Sequence, residues 1–425
     1  MRSIQATHNL IAVSANTRET AINTEQTLDT SMLCALGDVM QLERRRENNG
    51  NEATGLEEPD TIYDLGTLAN ASFNFEKAQP QHFAFLLSHA LGSTVTAAAG
   101  SGHQHTIKPI EGDLDTNRSL PSFTAAQRYG KTVLRRRFAS MFVDSVTATF
   151  AKDAWCKITG TLKGTGKYTD NVVSETISAL PTLTELTLAA NDVEGADAPT
   201  RLANVQQIKA ELTTGVWTEV VYTAVSDAKP AVITIVAPGA GIIAVNYKVL
   251  YIPTETDWMV FPARETETPL RVSQMQVNVG GTWSGSAFAG GRALSSEIKS
   301  IDWSFSNALA VEFTPGASGS YASRAIRGGR TQKITLNREF REFIMQQHMA
   351  DNDTMGLYIL AEGAVYDTPH KYQVEIIFPK VSVLAAPISV DGKRLGEAGD
   401  LTVLEDATYG SVIVKVKNLV ATYAA

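Results

Sequence analysis

Short runs of Val, Ile, Thr and aromatic residues recur along nearly the whole chain, separated by Gly, Asn, Asp and Pro. That texture commits the chain to β structure. Strands are expected at Ala71–Glu76, Ser122–Arg128, Val143–Phe150, Trp155–Leu162, Glu185–Ala189, Glu219–Ala224, Ala231–Val236 and Ile242–Ile252, then at Leu270–Val279, Ile298–Ser306, Gln332–Leu336, Gly356–Ala361, Tyr372–Val383 and Ser411–Val420. Many place β-branched residues on alternate positions, as a half-buried sheet requires. Only two segments carry a helical period. Pro80–Leu91 puts Phe83, Leu86, Leu87, Ala90 and Leu91 on one face, between Pro80 as an opening residue and Gly92 as a stop. Arg338–Ala350 has Asn337 as a cap and Phe340, Phe343, Ile344 and Met349 as its apolar side.

Each helix follows a strand and precedes a longer strand pair, which suggests two related β-rich units. A local echo supports this. Asp144–Phe150 reads DSVTATF and Lys299–Phe305 reads KSIDWSF. In each, alternation gives one polar face (Ser145/Thr147/Thr149; Ser300/Asp302/Ser304) and one apolar face (Val146/Ala148/Phe150; Ile301/Trp303/Phe305). Between the two units, 180–253 has strands, no strong helix, and Pro at both edges. It reads as an inserted small β-sandwich, Ig-like in kind. The expected division is therefore 1–179, 180–253 and 254–425. The fold expected is mainly β: two β-sandwich or barrel units, each with one flanking helix, plus the insert.

Length and charge bound the function. At 425 residues the chain has room for two to four domains, and 44% hydrophobic residues suffice for real cores. A net charge of −8 argues against a surface that grips nucleic acid, which would need clustered Lys and Arg. Two cysteines, Cys34 and Cys156, make no disulfide framework and no CxxC. The start, Met1-Arg2-Ser3-Ile4, leads into no signal-peptide core, and the longest apolar stretch, Ala231–Val245, is broken by Pro238, Gly239 and Gly241. No membrane association is expected.

The motifs of catalysis and cofactor binding are incomplete. Tyr129-Gly130-Lys131-Thr132 ends like a P-loop, but Ala125 stands where the first glycine belongs. His103-Gln104-His105 offers two imidazoles without a third ligand nearby. Asp351-Asn352-Asp353 opens like a calcium loop but lacks the later Gly and Glu. Arg327-Gly328-Gly329-Arg330 and Lys163-Gly164-Thr165-Gly166-Lys167 suit hairpins better than phosphate contacts. No GxSxG and no Ser/His/Asp or Cys/His arrangement is visible. The expectation is a non-enzyme without metal or cofactor. Two arginine triplets, Arg44-Arg45-Arg46 and Arg135-Arg136-Arg137, read either as solvated charge or as inter-subunit partners of acidic loops such as Glu57-Glu58. The first opens Glu43–Asp60, which lacks regular pattern; a second loop is expected at Ala97–Ser119.

Over about its first 150 residues the chain resembles the major tail tube proteins of long, non-contractile-tailed bacteriophages. The resemblance lies in ordered strings: Arg18-Glu19-Thr20-Ala21-Ile22-Asn23-Thr24; Gly66-Thr67-Leu68; a helix ending Leu86-Leu87-Ser88-His89-Ala90-Leu91-Gly92; His105 in a loop; Leu120-Pro121-Ser122-Phe123-Thr124; and Phe142-Val143-Asp144-Ser145-Val146-Thr147. It does not cover the insert, and the C-terminal unit matches by plan rather than by wording. The resemblance implies a structural virion protein, assembled in the host cytoplasm, whose sheets join around a ring. Rings stack into a conduit through which DNA passes without specific binding. Tape measure, tail terminator and distal tail proteins are the implied partners.

Family rings carry six barrels, so a chain with two units would close as a trimeric ring with pseudo-sixfold symmetry; a hexamer is the alternative. Ser145, Thr147, Thr149, Ser300, Asp302 and Ser304 are the candidate lumen-lining residues. Arg44, Arg45, Arg46, Glu57, Glu58, Arg135, Arg136 and Arg137 are the candidate inter-subunit residues. Segment 43–60 and the arm Ile4–Thr20 are candidates for ring-to-ring contact. Competing classes are a capsid decoration or baseplate ring component, a secreted adhesion module, and a carbohydrate-active β enzyme with paired carboxylates.

Overall fold

Strands hold 53% of the described residues and helices 8%, so antiparallel pairing sets the architecture. The structure is a computed structural model that describes residues 4–110, 120–131, 133–180, 182–238, 245–254, 260–264, 266–315 and 320–424. Gly112-Asp113, Thr132 and Pro181, together with the start of the Ile242–Ile252 strand, lie outside the described residues. The chain divides into two compact units. One, the body, comprises Ile11–Gln127, Phe138–Tyr168 and Phe261–Ala425; the other comprises Met1–Leu10, Arg128–Arg137 and Thr169–Val260.

The elements that matter for the body are β1 (Gln41–Asn48), β2 (Ile62–Phe75), α1 (Pro80–Leu91), β3 (Arg135–Ala151), β4 (Lys157–Gly164), β5 (Ile298–Ser306), β6 (Thr331–Glu339), α2 (Ile344–Asp351), β7 (Met355–Asp367), β8 (His370–Ala385) and β9 (Arg394–Val403). The N-terminal and C-terminal halves do not form separate cores. One continuous apolar cluster runs from Phe73, Phe83, Phe123 and Phe150 to Trp303, Ile334, Phe378 and Val414.

α1 is buried along all twelve residues. A helix without a solvent face needs its polar ends satisfied internally. Gln79 and His82 cap each other's backbone, the Gln81 N–H donates to the Glu267 carboxylate at 2.8 Å, and Gly92 closes the C-terminus in the left-handed region (φ 92°). β4 approaches α1 so closely that a Cβ at Gly160 would lie 2.7 Å from Leu86. This is why a glycine stands between Thr159 and Thr161 in the strand.

Several expectations change here. The Arg338–Ala350 helix is shorter, because β6 continues to Glu339 and α2 begins only at Ile344. Arg338 is fully buried in the body: Nε donates to Glu397 at 2.6 Å, Nη1 to Glu297 at 3.0 Å and Nη2 to the Glu342 carbonyl at 2.9 Å. That network holds the residue in a strand. Phe343 and Met349, expected on the apolar side, are exposed, and Met345 is the buried residue. Segment 43–60 is regular in its first third, since β1 pairs with β2 from Gln41↔Asn70 to Asn48↔Ile62. Both faces of β1 meet solvent, so no alternation marks it. Ala97–Ser119 is likewise not all loop: Gly92–Ala99 and Gly102–Pro109 form a hairpin turning at Gly100 (φ 65°). The arm is built into the body from Ile11 onward, with Ile11, Val13, Ser14, Ala15 and Glu19 all buried.

The smaller unit holds a four-stranded sheet (Val173–Ala179, Val245–Tyr251, Val205–Thr213, Val216–Glu219) and a three-stranded sheet (Glu185–Thr187, Val232–Ile235, Tyr222–Val225) around its own core. Its first strand, Val173–Ala179, pairs along its length with Val245–Tyr251 and so precedes the expected boundary at 180. It also contains a helix, Ala198–Asn204, with Asp197 as its cap and Pro at the second position.

Candidate functional site

Alternation on each strand and register between strands build one extended surface on the body. Six strands lie side by side in the order β2, β4, β3, β5, β6, β9, each antiparallel to the next. The two echoed segments meet at the centre of this sheet. β3 pairs with β5 so that Thr147 faces Ser304, Thr149 faces Asp302 and Ser145 faces Ser306. Their polar faces are therefore one face, continued outward by Thr159 and Thr161 on β4, Ser72 and Asn74 on β2, Thr335 and Asn337 on β6, and Asp400 and Thr402 on β9.

The reverse side of the same strands is sealed. Val146, Ala148, Phe150, Ile301, Trp303, Phe305, Ile334 and Leu401 are all buried. Trp303 packs edge-on against Phe378 with ring centres 5.4 Å apart. Such an apolar floor fixes the register, because a one-residue slip would drive hydroxyls into the core.

The polar face binds itself together. Ser145 and Thr161 hydroxyls are 2.5 Å apart, the Asn337 amide donates to Ser300 at 2.9 Å, and Thr335 donates to Asp400 at 3.1 Å. Most of its charges are paired, Lys163 with Asp144 at 3.0 Å, Lys333 with Asp400 at 3.0 Å, and Lys157 with Glu76, and Asp302 adds one further carboxylate. The surface is thus rich in hydroxyls and nearly neutral rather than acidic. Among the described residues, no group of three His, Cys, Asp or Glu is placed to hold a metal ion. No family model matches the chain, and no curated protein matches it.

The candidate inter-subunit residues separate. Arg44 pairs across its own hairpin with Asp64 at 2.7 Å. The Gly66 N–H first, and then Arg44, hold the Asp64 carboxyl below the usual carboxylate range. Arg136 grips Asp170 through two bonds of 2.6 and 2.8 Å, so its guanidinium is engaged within the smaller unit, to which Arg135 and Arg137 also belong. Arg45, Arg46, Glu57 and Glu58 are exposed. Within the body, Arg44 makes its ion pair with Asp64 rather than with Glu57 or Glu58.

The incomplete motifs find structural roles. His105 sits in a strand, with Nε2 3.0 Å from the Asn418 amide oxygen and its ring against Tyr423. Asn352 ends α2 in the left-handed region (φ 48°), and Asp353 bonds His348 at 2.8 Å.

One buried cluster escaped the sequence reading although its residues stood in it. Glu19 lies in the core, and its carboxylate accepts from Ser122 Oγ at 2.8 Å, Thr124 Oγ1 at 2.8 Å and the Ser140 N–H at 2.8 Å. The Ser140 hydroxyl reaches Glu19 as well, with Ser140 at φ 50°. Two strings that carry the family resemblance, Arg18-Glu19-Thr20 and Leu120-Pro121-Ser122-Phe123-Thr124, therefore meet at one point. The cluster ties the arm to the body.

Proposed function

We propose that the protein is a tail tube subunit of a long, non-contractile-tailed bacteriophage, a structural virion protein whose stacked rings form the conduit for DNA leaving the capsid. The observation that carries the reading is the six-stranded sheet with a sealed apolar floor and a hydroxyl face whose charges are mostly paired. A conduit wall must present polar groups to hydrated DNA without holding it, and a hydroxyl-rich face with mostly paired charges suits that requirement. The meeting of the two echoed strands at β3 and β5 suits two tube-type units fused side by side, with the Ig-like insert as a separate appendage. Three such chains would then complete a ring of pseudo-sixfold symmetry; six chains per ring is the alternative.

Two exposed hairpins of the body support assembly. β1 is paired only with β2, and Ile388–Asp391 only with β9, among the described residues. Both hairpins expose apolar side chains, with Ile62 68% exposed on one and Val390 75% exposed on the other. Open edges of this kind are a hazard in a monomer and an asset in a closed ring. Tape measure, terminator and distal tail proteins would bound the tube in the virion. Negative-stain microscopy of the purified full chain tests the reading: rings or tubes with three chains per ring are expected. A strictly monomeric protein at high concentration would remove it.

A further inference from the structure

The β1–β2 hairpin carries opposite charge at its tip and at its base. Between Glu47 and Thr61 stand five carboxylates (Glu47, Glu52, Glu57, Glu58 and Asp60) and no Lys or Arg. Two are engaged: Tyr63 donates to Glu52 at 2.8 Å and the Asn49 amide to Asp60 at 2.6 Å. Asn49 is buried and also accepts from the backbone N–H groups of Asp60 and Thr61 at 3.2 and 3.3 Å. It closes the neck of the tip and gives the loop a fixed shape. Glu57 and Glu58 are exposed, and among the described residues no ion pair reaches either.

At the base of the same hairpin lies a cavity of about 370 Å³ lined by Arg44, Asp64, Thr67, Lys167, Tyr168 and Tyr321. The Lys167 ammonium donates to the Asn23 carbonyl at 2.8 Å and sits 5.8 Å from the centre of the Tyr321 ring. Two cations, Arg44 and Lys167, line the cavity against one carboxylate, Asp64, and Arg46 stands opposite Asp64 in the hairpin ladder. The tip cannot enter its own cavity. Arg44 pairs with Thr67 and the ladder stays closed to Asn48↔Ile62. At ~3.3 Å per residue the tip therefore begins roughly 13 Å beyond the cavity.

We infer that the acidic tip of one copy, through Glu57 and Glu58, docks into the basic cavity at the hairpin base of a second copy. This rests on the tube reading and names the contact that extends it. Donor and acceptor surfaces differ, so the contact is heterologous and propagates, as growth of a tube requires. Complementary charge supplies orientation and encounter rate.

Preformed rings of the full chain provide the test, followed by light scattering and negative-stain microscopy. Glu57→Lys/Glu58→Lys alone and Arg44→Glu/Arg46→Glu alone should each reduce elongation at least tenfold at low salt, with unchanged melting temperatures showing intact folding. Mixing the two variants should restore growth, because each reversed tip then meets a cavity of opposite sign. Wild-type growth by either single variant, or no growth by the mixture of folded rings, overturns the inference while leaving the tube reading in place. Wild-type rings that never stack into tubes overturn the inference alone, and a strictly monomeric wild-type chain removes both.

Discussion

Thr147 and Ser304 stand directly opposite one another across β3 and β5, although they are far apart in sequence. Each belongs to a polar–apolar alternation of its own, and pairing them joins two separate polar edges into one surface. The same registration lays Ala148 beside Trp303 and Val146 beside Phe305 on the buried side. A single hydrogen-bonded seam thus fixes both the floor of the core and the composition of the face above it.

That seam makes the floor sensitive to truncation. Trp303 is fully buried and packs on Phe305 and Phe378. Trp303→Ala should cost about 3–5 kcal/mol of body stability through lost transfer energy and the cavity left behind. Ser304→Ala, one residue away on the exposed side, should change stability by less than ~0.5 kcal/mol. Urea titrations of both variants check the contrast; equal losses would mean that the floor is not where the seam draws its stability.

The hydroxyl face leads to an expectation about DNA. Assembled wild-type rings should not retain duplex DNA at physiological salt. Thr147→Lys/Thr161→Lys/Ser304→Lys adds three cations to the face and should create salt-sensitive retention, since each neutralised phosphate adds about 0.9 to the slope of log K against log salt. Co-sedimentation at two salt concentrations reads this. Strong DNA retention by the wild-type protein would contradict the conduit reading.

Much of this surface was legible in the sequence, for a physical reason. β3 and β5 are half-buried, so alternation marks them and both polar faces can be read residue by residue. β1 was not legible because a free-standing hairpin has no buried side to impose a period. The end of β6 was misread because Arg338 helps form a helical pattern locally, while its partners Glu297 and Glu397 are far away in the chain. The short helix at Ala198–Asn204 did carry a signal, Asp197 followed by Pro199, which its length made easy to pass over. The Glu19 cluster was hidden in the same way as the Arg338 network. Its parts stood among the quoted strings, but only the fold brings position 19 to positions 122, 124 and 140.

The Glu19 cluster should hold the arm in place. Glu19→Ala would leave the Ser122, Thr124 and Ser140 donors without their acceptor in the core, at a cost of about 1–3 kcal/mol for each group left unsatisfied. The arm should then open before the rest of the body. Limited proteolysis is expected to cut near Thr17 and Arg18 several-fold faster than in the wild type, while the urea midpoint still reports a folded body. Unchanged cleavage would show that the cluster does not anchor the arm.

Acid should loosen the body through α1. Burial pushes the His82 imidazole down to about 3 and the His89 imidazole down to about 4. Both side chains lie inside the core, against Phe75 and against Phe85 and Phe123. Because their folded-state values lie below the ordinary histidine value, the unfolded chain binds more protons as pH falls below about 6.5. Their contribution to stability is present in full above that pH and is lost progressively toward pH 4. At pH 5 each histidine should account for a loss of up to about 2 kcal/mol relative to pH 8. His89→Phe keeps an apolar ring in the same space and should flatten roughly half of this dependence, as measured by urea midpoints between pH 4.5 and 8. A variant whose stability falls as steeply with acid as the wild type would assign the dependence to other groups.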